Sequence, residues 1–240
     1  MTRNHGTDGG DGVSTNRRQD RPGEPVLELK NLTDADLVDV NRSRLYRLLS
    51  LGFGFPRSEL QEAQAELWQL ADTLYPELEL NREERDLLAP EIESLYINIL
   101  DGHAPGKACR PYETAWRDDD RSMKQWEVKK FYRAFGLDLN EKTREVPDHI
   151  VNELEFMHFL AFLAVEASRG QLGGSVGRGQ YVHAQKDFLE RHLGQWIAKF
   201  CEALQEKTDE QFYVQLAILT AQFVKDDLEW VRDQYEAGEG

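Results

Sequence analysis

Glu155-Phe156-Met157-His158 places a carboxylate and an imidazole three residues apart, the ligand spacing of di-metal helical bundles. On a helix the two would share a face and could reach one metal ion. His149 and Glu153, four apart, could supply two further ligands, and Asp148 a third. Sites of this kind need a second Glu-x-x-His and two more glutamates on facing helices, and the chain has no second Glu-x-x-His. A helix start with an acidic first turn and an i,i+4 hydrogen-bonded pair accounts for the same residues. The di-metal oxidase therefore stands as the alternative reading, and the expectation is that no metal or other cofactor is held.

Nucleophilic chemistry finds little support. Cys109 lies near Lys107 and Arg110, cations that would lower its pKa, but no His base is identifiable beside it. Cys201 sits in an apolar helical stretch and reads as a small core residue. Ser175 lacks a nucleophile-elbow context, and the glycines at 170, 173, 174, 177 and 179 lack the preceding strand and terminal Gly-Lys-Ser/Thr of a phosphate loop. The chain is expected not to be an enzyme. Two cysteines without a Cys-x-x-Cys exclude a disulfide framework. A net charge of −15, from 44 acidic against 29 basic side chains, excludes electrostatic binding to nucleic acid and favours a basic partner.

The remaining chemistry is that of a surface. Between 101 and 116 lies a loop with Pro111, Tyr112 and Trp116, preceded by Tyr96, Ile99 and Leu100 near a helix end. An aromatic–proline loop beside such a helix can form an apolar groove, rimmed here by Glu113, Asp118, Asp119 and Asp120, suited to a peptide with apolar residues after basic ones. The same aromatics could equally pin the loop to the core.

The elements that must position these residues are helical. Thr33 and Asp36 form a capping box before Leu37, Val40, Leu45, Leu48 and Leu49 at helical spacing, and Gly52, Gly54 and Pro56 stop that helix. A second helix is predicted over 58–74. A third opens at Asn81 with Glu84 and is divided by Pro90, and a fourth covers 118–135. The fifth, 147–169, is apolar on most of its circumference and belongs in the core. After a glycine-rich link, two long helices follow, the first with Leu189, Leu193, Trp196, Ile197, Phe200 and Leu204 on one stripe, the second with Phe212, Leu216, Leu219, Phe223 and Trp230. The fold class is all-α, with no surviving period-2 alternation. No apolar run approaches the roughly 18 residues of a membrane span. Residues 1–30 read as a disordered polar tail. Asn16-Arg17-Arg18 in that tail lacks the following apolar stretch of an export signal, which points to the cytoplasm.

Two motifs carry a resemblance. Pro147-Asp148-His149 followed by Glu153-Leu154-Glu155-Phe156-Met157 is similar to the hinge and following helix of the TorD/DmsD/NarJ family of cytoplasmic molybdoenzyme maturation chaperones. Arg110-Pro111-Tyr112-Glu113-Thr114-Ala115-Trp116 resembles that family's Pro-Tyr-Glu-Ser/Thr-x-Tyr loop, with Trp116 where Tyr is commoner. Tyr46-Arg47-Leu48-Leu49, Phe55-Pro56, Phe131-Tyr132 with Gly136-Leu137, and Phe188 to Leu193 with Trp196 also match, so the resemblance spans about 40–230. It leans toward the branch serving type II enzymes of the dimethyl sulfoxide reductase family.

The resemblance implies a helical bundle of about seven or more helices within 31–240, whose N-terminal half (31–140) and C-terminal half (148–236) join at a hinge over 137–147. It implies binding of the catalytic subunit of a molybdenum-containing oxidoreductase and its twin-arginine signal peptide. The implied contact residues are Pro111, Tyr112, Glu113, Thr114, Trp116, Pro147, Asp148, His149 and Glu153, with Tyr96 and Leu100 beside them. In this reading Asp148 and the acidic rim meet the paired guanidinium groups. The chain would be a monomer, or a dimer exchanging halves across the hinge.

Overall fold

Thr33 opens the first helix through a reciprocal pair of bonds: its hydroxyl accepts from the Asp36 amide at 3.2 Å, and its own amide donates to the Asp36 carboxylate at 3.0 Å. The computed structural model describes residues 32–80, 89–101, 108–138, 146–172 and 176–239. Eight α-helices lie among them: α1 (Asp34–Phe53), α2 (Ser58–Leu74), α3 (Ala89–Ile99), α4 (Arg121–Ala134), α5 (Ile150–Ser168), α6 (Arg178–Arg191), α7 (Leu193–Lys207) and α8 (Gln211–Glu239). The all-α expectation holds. The chain divides into units Met1–Leu32 and Thr33–Gly240, and the first, apart from Leu32, lies outside the described residues, as do the expected tail and the cap at Asn81 and Glu84. The expected hinge falls largely on residues 139–145, also outside them.

The apolar fifth helix occupies the centre. Ile150, Leu154, Met157, Leu160, Ala161, Ala164 and Val165 of α5 are fully buried. α1 lies along α5, α2 packs on α1, α6 fits against both α5 and α8, and α7 pairs with α8. Burying large apolar side chains at roughly 1.5–3 kcal/mol each is the main stabilising term. Phe156 and Phe188 meet edge-on at 4.8 Å and Phe53 meets Phe200 at 5.6 Å, tying helices distant in sequence together.

Two helix boundaries depart from the sequence reading. The stripe from Leu189 to Leu204 is broken at His192 (φ −129°, ψ −102°), so one expected helix is two, α6 and α7. Just past the break, a Cβ on Gly194 would stand 2.6 Å from the Leu189 carbonyl oxygen, so the chain turns where only glycine fits. The fifth helix begins at Ile150, not Pro147, because the Asp148 carbonyl and the Ile150 amide are drawn into pairing with the 111–113 segment.

A buried ion network without a sequence signature joins α1, α6 and α8. Arg42 donates to Asp227 through two nitrogens, to Asp39 at 2.6 Å and to Gln185 at 2.6 Å, and its guanidinium stacks 4.0 Å from the Trp230 ring. Tyr46 adds a 2.6 Å bond to Asp227, and Arg178 bonds the other oxygen of Asp39 at 2.9 Å. With each charge paired and hydrogen-bonded, burial is tolerated.

Candidate functional site

Pro111-Tyr112-Glu113 and Asp148-His149-Ile150 lie side by side as a short antiparallel pair, with Tyr112 opposite His149. The Glu113 amide donates to the Asp148 carbonyl and the Ile150 amide to the Pro111 carbonyl, both at 2.9 Å. The two motifs are therefore one structural unit. His149 closes it from the helix side: its backbone is extended, and Nδ1 accepts from the Val151 amide at 3.2 Å, capping α5 with an imidazole in place of the usual oxygen.

Asp148 binds this unit together. Its Oδ2 accepts from the Thr114 hydroxyl at 2.6 Å and the Thr114 amide at 3.1 Å, and its Oδ1 accepts from Gln125 of α4 at 2.8 Å. The side chain is fully buried. This corrects the expectation that Asp148 meets an incoming guanidinium: both oxygens are engaged within the chain. Pro147 contributes through its carbonyl, which accepts from the Tyr132 hydroxyl at 2.9 Å.

Glu113 is likewise interior rather than part of a rim. One oxygen accepts from Arg117 at 2.9 Å and the other faces His192 Nδ1 at 3.0 Å. Arg117 also donates to the Arg191 carbonyl at 2.9 Å, satisfying a C-terminal carbonyl of α6. Beneath them Glu153 is fully buried, accepting from Trp196 Nε1 at 3.0 Å. Burial, with the Glu113 carboxylate adding to it, holds the Glu153 carboxyl well above the usual range, against the Trp196 bond.

The aromatic residues divide between the two readings left open by the sequence. Trp116 is pinned: its indole donates to the Arg110 carbonyl at 2.7 Å and its ring meets Phe200 edge-on at 5.9 Å. Leu100 and Ile99 are buried. Tyr112 is half-buried with its ring edge-on to His149 at 4.9 Å, and half-buried Tyr96 packs at 5.4 Å against Phe55, itself 43% exposed. Burial, then the charges of Asp101 and Tyr112, push the Tyr96 phenol up to about 12. Burial pushes His149 down to about 4, opposed by Asp148 and Asp101, so the imidazole is neutral at neutral pH. The accessible surface is thus Phe55, Tyr96, Tyr112 and His149, within the field of the exposed Asp101.

The side chains named for the di-metal alternative have other partners. His149 caps α5, Glu153 bonds Trp196, and His158 Nδ1 lies 2.8 Å from the Ser43 hydroxyl and 3.0 Å from its carbonyl. Among the described residues no group of three or more His, Cys, Asp and Glu is arranged to hold a metal ion. The expectation of a lowered Cys109 pKa fails too: burial pushes the thiol up to about 12. Sequence reasoning missed Gln125, Arg117, His192 and Asp101. His192 could have been suspected as an isolated polar residue on an apolar stripe, whereas nothing in the sequence singles out Gln125.

Residues 57–202 match the family described as nitrate reductase delta subunit. The chain belongs to that family, the TorD/NarJ family. It is 32% identical over 204 residues to the perchlorate reductase assembly chaperone protein of Dechloromonas aromatica (strain RCB), covering 78% of this chain and 88% of the relative. The selenate reductase assembly chaperone protein of Thauera selenatis is 38% identical over 86 residues, 36% of this chain and 42% of the relative. The chaperone protein TorD of Vibrio cholerae serotype O1 (strain M66-2) is 24% identical over 217 residues, 82% and 94% of the two chains.

Proposed function

We propose that this chain is a non-catalytic assembly chaperone that holds the catalytic subunit of a molybdenum-containing oxidoreductase in the cytoplasm, engaging its twin-arginine signal peptide until the cofactor is inserted. Family membership and the chaperone roles of the relatives support the chaperone role here. Among the described residues no helix is long and apolar enough to cross a membrane, which agrees with a cytoplasmic role.

The observation that carries the reading is the pairing of Tyr112 with His149, which fixes a half-exposed aromatic surface onto a rigid, buried polar frame. Tyr96, Tyr112 and Phe55 would take the apolar part of a signal peptide, and the negative field of the exposed Asp101 would attract its arginines. The frame residues Glu113, Thr114, Trp116, Pro147, Asp148 and Glu153 set the position of that surface, and Leu100 fills the core behind it.

An affinity pull-down of the tagged chain from its source cytoplasm, read by mass spectrometry, tests the reading. Recovery of a molybdoenzyme catalytic subunit is the expected result. Recovery of unrelated proteins or of none would overturn it.

A further inference from the structure

On another part of the helical domain, α1, the end of α2 and α8 enclose an open cleft of about 380 Å³. That volume falls within the range of roughly 300–1,000 Å³ typical of ligand clefts. Its walls are aromatic and aliphatic: Tyr75, Phe223, Trp230, Leu74 and Val38. Phe223 is buried and stacks edge-on to Tyr75 at 6.5 Å, so the floor is fixed. At the mouth, Val38 and its neighbour Leu37 are 41% and 46% exposed, adjacent apolar residues left open to water at the start of a helix.

The charges around the cleft are one-sided. Its lining residues supply three carboxylates, Glu77, Asp226 and Asp227, and one cation, Arg42. Arg42 is consumed by Asp227 and Asp39, and the second oxygen of Asp39 is taken by Arg178. Asp227 is therefore matched, while Glu77 is exposed and Asp226 receives only the amide of Gln222, at 2.8 and 2.9 Å. Glu77, Asp226 and Asp227 line the same cleft as Tyr75, and burial, followed by these carboxylates, holds the Tyr75 phenol above its usual range. An apolar cleft with two carboxylates at its edge and no lining cation to match them is complementary to an apolar group that carries positive charge nearby.

We infer that this cleft docks a segment of a partner polypeptide in which an apolar side chain enters between Tyr75, Phe223 and Trp230 while a neighbouring Arg or Lys pairs with Glu77 and Asp226. The inference rests on the chaperone reading only for the source of the segment, a bound protein, and the cleft is a second contact, separate from Tyr112 and His149. Two contacts on one client raise the effective concentration of each for the other.

The test uses the full chain and two fluorescein-labelled synthetic peptides, one with two arginines directly preceding a Leu-Leu-Phe block and one with both arginines replaced by glutamine. Fluorescence anisotropy at low salt is expected to give tighter binding of the arginine peptide, weakened by added salt. Glu77→Gln/Asp226→Asn should weaken it about tenfold or more, and Val38→Gln, which changes the apolar mouth alone, should weaken both peptides. Melting temperatures of both variants should stay at the wild-type value, because the altered groups lie at the surface. Equal binding of the two peptides, or wild-type affinity in the double variant, overturns the inference. Light scattering that shows a wild-type dimer and a monomeric double variant also overturns it, since the occupant is then a second copy of the chain. Loss of the cleft with an intact pull-down leaves the chaperone reading standing. An empty pull-down with intact peptide binding removes that reading and keeps the cleft.

Discussion

Glu113 and His192, 79 residues apart in the chain, meet at 3.0 Å with both side chains fully buried. The contact explains two features at once. His192 interrupts an otherwise continuous apolar helix and turns its imidazole inward, flanked by Phe131 at 5.2 Å and Phe188 at 5.1 Å. Glu113, held there and by Arg117, ties the loop that carries Tyr112 to the junction of α6 and α7. The exposed aromatic surface therefore stands on interior polar bonds.

Glu113→Ala is expected to destabilise the fold by roughly 1–3 kcal/mol, because it leaves the buried His192 Nδ1 without its partner, while Arg117 keeps Asp119 at 2.7 Å and the Arg191 carbonyl. Glu113→Gln, which keeps an acceptor, should cost clearly less. Urea unfolding midpoints of the two variants check this, and equal midpoints would show the contact to be energetically idle.

His149 makes stability depend on pH. Its folded value is pushed by burial to about 4 from the ordinary 6.5. Between those values the unfolded chain holds a proton that the folded chain does not, so stability rises with pH across this window and is lost as pH falls through it. The span corresponds to roughly 3 kcal/mol at most. His149→Asn keeps a capping side chain and removes the titration. Its urea midpoint should fall less than wild type between pH 6.5 and 4.5.

The helices were legible because their signals are local: the Thr33–Asp36 box, the stripe on α8 and the apolar circumference of α5 each declare themselves within about twenty residues. The two motifs were also legible, one by one, as places where proline, aromatic and acidic residues cluster. Their joining was not, since the pairing of Tyr112 with His149 is a backbone relationship across 37 positions. Acidity misled most. Asp148 and Glu113 look like surface carboxylates in a chain of net charge −15, yet both are interior hydrogen-bond hubs, and only their partners Thr114, Gln125, Arg117 and His192 reveal it. The break at His192 was hidden because α6 and α7 each continue the apolar stripe across it.

Asp148→Ala, which would be a clean binding variant if the carboxylate faced solvent, is expected instead to lower the melting temperature. It removes three accepted hydrogen bonds and leaves the Thr114 amide and the Gln125 side chain without their partner. Buried groups orphaned in this way cost roughly 1–3 kcal/mol each. Asp148→Asn should recover part of the loss through its remaining oxygen. A thermal scan of the two variants decides it, and a wild-type melting temperature for Asp148→Ala would contradict the placement.

Both cysteines are free and buried, and burial raises both thiols, Cys109 to about 12. Reaction requires the thiolate, so neither should react with a disulfide reagent in the folded protein. Adding denaturant should release both at once. Rapid labelling of Cys109 without denaturant would mean that the 108–116 segment opens independently of the core.

Tyr112→Ala and Tyr96→Ala separate the surface from its frame. Tyr112 contributes a ring edge to His149, and Tyr96 packs on the exposed Phe55, so both truncations remove partly accessible area and leave the Asp148 and Glu113 bonds in place. Each should lower the melting temperature less than Asp148→Ala does. Aromatic anchors at the centre of an interface carry roughly 2 kcal/mol or more of binding energy. Recovery of the client in a quantitative pull-down should accordingly fall by about tenfold or more for either variant. If Asp148→Ala abolishes capture while both tyrosine variants capture like wild type, the loop matters only as scaffold and the docking surface lies elsewhere, with the cleft at Tyr75 and Trp230 the next place to test.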